Sequence, residues 1–180
     1  MSQKEEHKPF GTRDVLEVIL YIFLGYLIAT AANKGFSYAL DSDYPVVAVV
    51  SGSMERFNED ATYYDWLYGH DVTQEQVVQW PFDQGLRKGD IVVVKGVSFE
   101  ELQPGDVIVY KFPNREPIIH RVVAIDGDAL YTKGDNNLAM DQENGAIAPP
   151  VTEEYVQGKA IFHMPLLGYV KIAYMTIIGG

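Results

Sequence analysis

The sequence predicts a mainly β protein: a compact all-β domain behind one amino-terminal transmembrane helix, with a small helical insertion. Three observations carry this. An uninterrupted apolar stretch lies near the amino terminus, seven short β-branched runs separated by Gly, Asp, Pro and Asn follow it, and one acidic, aromatic segment breaks the series.

Residues 15–32 read VLEVILYIFLGYLIATAA, with Glu17 as the one charge. At about 1.5 Å per residue, a helix of this length spans roughly 27 Å, enough to cross the hydrocarbon of a bilayer. The stretch has no polar face, which argues against a buried helix of a soluble domain. Lys4, Lys8 and Arg13 precede it and only Lys34 follows closely, so the amino terminus is expected inside and the rest of the chain outside. Ala29, Thr30 and Ala31 also fit the cleavage site of a removable targeting segment. A retained anchor, with tail and helix over residues 1–34, is the reading adopted.

The β-branched runs are 46–50, 91–94, 107–110, 118–125, 129–132, 156–162 and 167–172, a number that suits a barrel or sandwich. They define a β domain over residues 35–172, followed by an apolar tail, 173–180, too short to span a bilayer. Two runs resemble each other, KGDIVVVK at 88–95 and PGDVIVYK at 104–111. Both read as strands entered through a Gly-Asp turn, with Asp90 and Asp106 as turn residues.

The insertion covers about 55–86. Its seven acids against Arg56 give it a charge of -6, more than half of the chain's -11. Thr73 and Gln76 form a capping-box pattern, and Pro81 closes a predicted helix of about two turns. Tyr63, Tyr64, Trp66, Tyr68, Trp80 and Phe82 are expected to pack this segment onto its host.

Several functions are excluded at once. The chain has no cysteine, so disulfides, thiolate metal sites and a cysteine nucleophile are out. Only 14 Lys and Arg against 25 acids speak against a nucleic-acid surface. No HExxH or histidine-rich cluster suggests a metal, and no cofactor is expected.

The first run ends in SGSM, residues 51–54. Alone it is turn chemistry. His120 stands in the middle of PIIHRVVAI, whereas His7 lies in the tail and His70 in the insertion. YTKGDNNLAMDQ supplies Asp135 and Asp141. Ser53, His120 and one of these carboxylates would fill the three roles of a serine hydrolase: nucleophile, base and orienting acid. The nucleophile elbow of α/β hydrolases is not present, because Ser51 and Glu55 occupy its glycine positions.

Five motifs in order, VVSGSM, KGDIVVVKG, LQPGDVIVYK, IIHRVVAI and YTKGDNN, resemble type I signal peptidase, in the branch of archaea and the endoplasmic reticulum. The resemblance implies Ser53 as nucleophile and Ser51, with the Ser53 N–H, as oxyanion donors. It puts His120 where the bacterial branch has lysine, with Asp141 as its partner and Asp135 in support. It further implies a membrane-anchored endopeptidase that removes signal peptides from exported preproteins after small residues, on the outer face of the cytoplasmic membrane. Shallow apolar pockets are then expected in the strand leading to Ser53. The bilayer and the preprotein are the expected partners, with the secretion machinery a further candidate. Gly52 would serve as the hinge of the serine turn. Where many relatives continue the serine motif with Glu-Pro, this chain has Glu55, Arg56 and the acidic insertion.

Two rivals share some of these features. A self-cleaving repressor-type peptidase also places Ser before Met, but needs a lysine base and a DNA-binding domain. A non-catalytic anchored β-module that binds exported proteins would keep SGSM as a turn and His120 as a structural residue.

Overall fold

The structure, a computed structural model, describes residues 11–57, 60–143 and 147–167. It has two compact units, Met1–Ala39 and Leu40–Gly180.

The first unit is a helix, α1 (Thr12–Leu40), the one described helix long and apolar enough to cross a membrane. Its 29 residues reach about 43 Å. Glu17, the lone acid of the apolar stretch, pairs with Arg13 one turn earlier at 3.1 Å. The helix continues beyond residue 34, because Asn33, Lys34 and Ser37 lower its apolarity without breaking it. It ends where Asp41 takes a left-handed φ of 48°.

The second unit is built on six strands: β1 (Val46–Ala48), β2 (Ile91–Lys95), β3 (Val107–Tyr110), β4 (Ile118–Asp126), β5 (Ala129–Lys133) and β6 (Val156–Met164). The mainly β expectation is met, and six of the seven expected runs are strands. The seventh, 167–172, and the tail at 173–180 lie outside the described residues, apart from Leu167, which sits in a turn. The strands form one continuous antiparallel sheet in the order β1-β2-β6-β3-β4-β5. The two look-alike strands, β2 and β3, do not pair with each other. β6 lies between them and pairs with both.

Side-chain alternation along β3 feeds two apolar clusters. Val107 and Val109 join Val49, Met54, Leu86 and Val92 on one face, and Ile108 and Tyr110 join Phe112, Val122, Leu130 and Val151 on the other. A strand buried on both faces reads as a continuous apolar run, as VIVY does. Register shifts interrupt three of the pairings, at Val93/Val94, Val109/Tyr110 and Val122/Ala124. Such bulges bend and twist the strands that carry them.

Asp90 and Asp106 close the turns into β2 and β3. Asp90 accepts from the Arg87 N–H at 2.9 Å and Asp106 from the Gln103 N–H at 3.1 Å. The insertion contains a π-helical turn (Asp60–Tyr64) and two short helices, α2 (Asp65–Tyr68) and α3 (Gln74–Val77). The Thr73–Gln76 capping box is present, but α3 makes one turn rather than two. After Val77 the backbone tightens to three-residue hydrogen bonds, Gln79 to Gln76 and Trp80 to Val77. This brings the Trp80 indole onto Gly105, where a Cβ would lie 2.3 Å from the ring. Tyr63, Leu67 and Val77 form the insertion's own small core, covered by Trp66 and Trp80.

Candidate active site

β1 leads directly into the turn that holds Ser53. The Val49 N–H donates to the Asp90 carbonyl at 2.9 Å, keeping the chain beside β2, and the Glu55 N–H closes the turn on the Gly52 carbonyl at 3.1 Å. Met54, fully buried in the core, pins the far side of the turn. Gly52 is not in the left-handed region, and a Cβ there would meet only the flexible end of Glu55, at 2.9 Å. The hinge expected of Gly52 is therefore not a backbone necessity. Close approach matters instead at Gly134, where a Cβ would lie 2.7 Å from the Ser53 carbonyl oxygen. Asn136 holds that carbonyl by its N–H at 2.8 Å, and the Gly52 carbonyl by its side-chain amide at 3.2 Å.

His120 is the third residue of β4, opposite Ile108 of β3. Its Nε2 lies 3.0 Å from Ser53 Oγ, and its Nδ1 lies 2.6 Å from Asp141 Oδ2. A carboxylate can only accept, so Nδ1 carries the proton and Nε2 offers its lone pair to the serine hydroxyl. Asp141 follows β5, with its N–H on the Thr132 carbonyl at 2.8 Å. Its Oδ2 also accepts from the Tyr110 hydroxyl at 2.8 Å and the Thr132 hydroxyl at 2.7 Å. His120 and Asp141 are both buried, while Ser53 is half-buried and Ser51 exposed.

Ser51 Oγ lies 3.1 Å from Ser53 Oγ. With the Ser53 proton directed at His120, this bond runs from the Ser51 hydroxyl to Ser53. The Ser53 N–H has no acceptor among the described residues. Both groups border an open cavity of about 300 Å³ with an apolar lining. Val47, Ala48 and Val50 from β1 and the residues after it, Ile118 and Ile119 from β4, and Ile147 line it.

Asp135 is not brought to His120. Its two oxygens accept from Arg121, Nε at 2.8 Å and Nη2 at 2.8 Å, with Arg56 Nε a third donor at 3.4 Å. Arg121 spends its remaining donors on the Pro81, Gly105 and Phe82 carbonyls, so all five N–H groups are used. Burial opposes its charge, but Asp135, with smaller help from Tyr63 and Asp106, more than offsets this and holds the guanidinium above its ordinary value. One residue therefore joins the end of the insertion, the turn into β3 and the loop after β5.

Lys133 is the buried lysine a lysine-base mechanism would need, and burial lowers it to about 8. Its Nζ, however, donates to the Thr62 and Gly134 carbonyls, and the nitrogen partner of Ser53 is His120.

Sequence reasoning passed over Tyr110, Thr132, Arg121 and Asn136. The available signals were a polar hydroxyl inside two apolar runs, an arginine inside a third, and the second half of GDNN.

A hydroxyl, an imidazole and a carboxylate in series beside an apolar cavity, on a β sheet, are the parts of a hydrolase that works by nucleophilic attack. Comparison with known proteins gives the family. The family described as signal peptidase, peptidase S26, matches residues 70–162. The signal peptidase complex catalytic subunit SEC11 of Fusarium vanettenii is 32% identical over 146 residues, covering 77% of this chain and 69% of that protein. Those of Chaetomium globosum and Pyrenophora teres f. teres are 30% identical over 157 residues and 33% over 148, covering 82% and 77% of this chain and 75% and 68% of theirs. The chain belongs to the signal peptidase family. These relatives are fungal, so the archaeal half of the expected branch gains no support from them.

Proposed function

We propose that the chain is a membrane-anchored serine endopeptidase that removes signal peptides from exported preproteins after small residues. Ser53 attacks the scissile carbonyl while His120 Nε2 takes its proton and later returns it to the leaving amine. Asp141 fixes the tautomer of His120 and stabilises the imidazolium that forms. As Ser53 Oγ turns to bond carbon, the Ser51 hydroxyl is released from it and, with the Ser53 N–H, receives the developing oxyanion. Asp135 supports the site through Arg121 without touching the reacting atoms.

The observation that carries this reading is the unbroken series from Ser53 Oγ through His120 to Asp141, at 3.0 and 2.6 Å. The cavity beside it supports the preference for short apolar side chains, since it is small, about 300 Å³, and aliphatic residues of β1 and β4 line it together with Ile147.

In the same reading α1 lies in the cytoplasmic membrane, with its amino terminus inside and the β domain outside. The signal peptide is itself an apolar segment in that bilayer, so tethering the enzyme there raises the effective concentration of one for the other. The relatives are named as catalytic subunits of a complex, and partner subunits or secretion machinery belong to the proposal on that ground.

The test is cleavage of a preprotein by the purified full chain in detergent, with the cut mapped by mass spectrometry. Ser53→Ala and His120→Ala are each expected to lose about a millionfold in kcat. Undiminished cleavage in either variant would favour a non-catalytic β-module contaminated by another peptidase.

A further inference from the structure

Asp141 takes all its side-chain hydrogen bonds on one oxygen. Oδ2 accepts from His120, Tyr110 and Thr132 at 2.6, 2.8 and 2.7 Å, whereas Oδ1 is buried without a partner among the described residues. Tyr110 comes from β3 and Thr132 from β5, the two strands that flank β4, so the carboxylate sits in a fork between neighbours of the histidine strand. A relay of serine, histidine and aspartate does not require either hydroxyl.

We propose that Tyr110 and Thr132 are positioning residues for the peptidase reaction: through Asp141 they fix the His120 imidazole and share the carboxylate charge that otherwise holds a proton on it. The inference rests on the peptidase reading above. Burial, and then the charge of Asp141, keep the Tyr110 phenol well above its ordinary range, so it remains a donor wherever the enzyme works. The Thr132 hydroxyl receives Gln142 Nε2 at 3.4 Å and keeps its own proton for Asp141.

The sign of the effect follows from the charge of the pair. With His120 neutral, the His120–Asp141 pair carries one negative charge, which both hydroxyls stabilise. One more proton, on either member, cancels that charge and weakens both bonds. Removing a donor therefore favours the protonated, inactive pair. The other charged groups nearby are committed elsewhere: Arg121 to Asp135, Lys133 to the Thr62 and Gly134 carbonyls, Arg115 to the Ile147 carbonyl, and Glu143 to the Met140 N–H.

The experiment is the pH profile of kcat/KM, from about pH 5 to pH 9, for the full chain in detergent and its Tyr110→Phe, Thr132→Val and double variants. The acid limb is expected to move to higher pH by about half to one unit in each single variant, and further in the double. Tyr110→Phe keeps the ring that packs edge-on against Phe112, so the core is preserved. A lower rate with the limb at its wild-type position would overturn the proposal. The imidazole of His120 can also be followed by NMR without turnover, its resonance identified by its loss in His120→Gln. It should titrate at higher pH in both variants, and an unchanged titration overturns the inference even if one variant is inert. A wild-type protein that cleaves nothing contradicts the peptidase reading instead, while the NMR titration still decides this one.

Discussion

Asp135 and Asp141 are the same residue type in one loop, both at most 1% exposed, and their surroundings could hardly differ more. Asp141 meets an imidazole and two hydroxyls, whereas Asp135 meets two guanidinium groups. The division begins on β4, where His120 and Arg121 are consecutive and must point to opposite faces of the sheet. β5 repeats it: Thr132 sends its hydroxyl to Asp141, and Lys133 turns to the Thr62 carbonyl in the insertion. One face thus holds groups whose protons can move. The other holds charged groups that bind the insertion to the domain.

The comparison breaks most visibly if Asp141 is neutralised. Asp141→Asn can present the wrong face of an amide to His120, and kcat is expected to fall about 10⁴-fold with little change in melting temperature. Steady-state kinetics beside a thermal melt checks both halves of that statement. Asp135→Asn should do the reverse. It leaves the buried Arg121 without its counter-charge, and unfolding in denaturant is expected to show a loss of about 3–5 kcal/mol, with kcat per folded molecule within about tenfold of wild type. The paired change Arg121→Met with Asp135→Leu should recover part of that loss, because it removes both charges together.

The six strands were legible because their apolar runs are short, β-branched and bounded by Gly, Asp and Pro. Ser53 and His120 stood out for a related reason: each is a polar residue at the end or in the middle of such a run. Their meeting was not legible, since it depends on β1 delivering its turn to β4 across a sheet whose order places β6 between β2 and β3. Nor were the partners of the two carboxylates. Tyr110 and Thr132 share a face with His120 only because β3 and β5 flank β4 in the register Ile108↔His120 and Val122↔Thr132, and neither strand order nor register is written in the residue types. Arg121 looked like one more strand residue because its five acceptors are mostly backbone carbonyls of distant turns.

Two smaller effects sharpen the same division. Ser51→Ala removes one donor from the reacting side, and kcat should drop about a hundredfold with KM nearly unchanged and stability intact. On the charged side, burial depresses Lys133 from 10.5 to about 8. Below pH 8 both folded and unfolded chains hold its proton, and the cost of burying the charge is fully present. Between about pH 8 and 10.5 the unfolded chain binds more protons than the folded one, so this residue makes stability rise with pH there. Denaturant unfolding at the two ends of that window should show the rise in wild type and its absence in Lys133→Met.

The most direct test of the division is kcat for Asp141→Asn and Asp135→Asn on one preprotein, each normalised to the folded fraction. Asp141→Asn is expected to be slower by about a thousandfold or more. Equal rates, or a slower Asp135→Asn, would mean that Asp141 is not the carboxylate that serves His120.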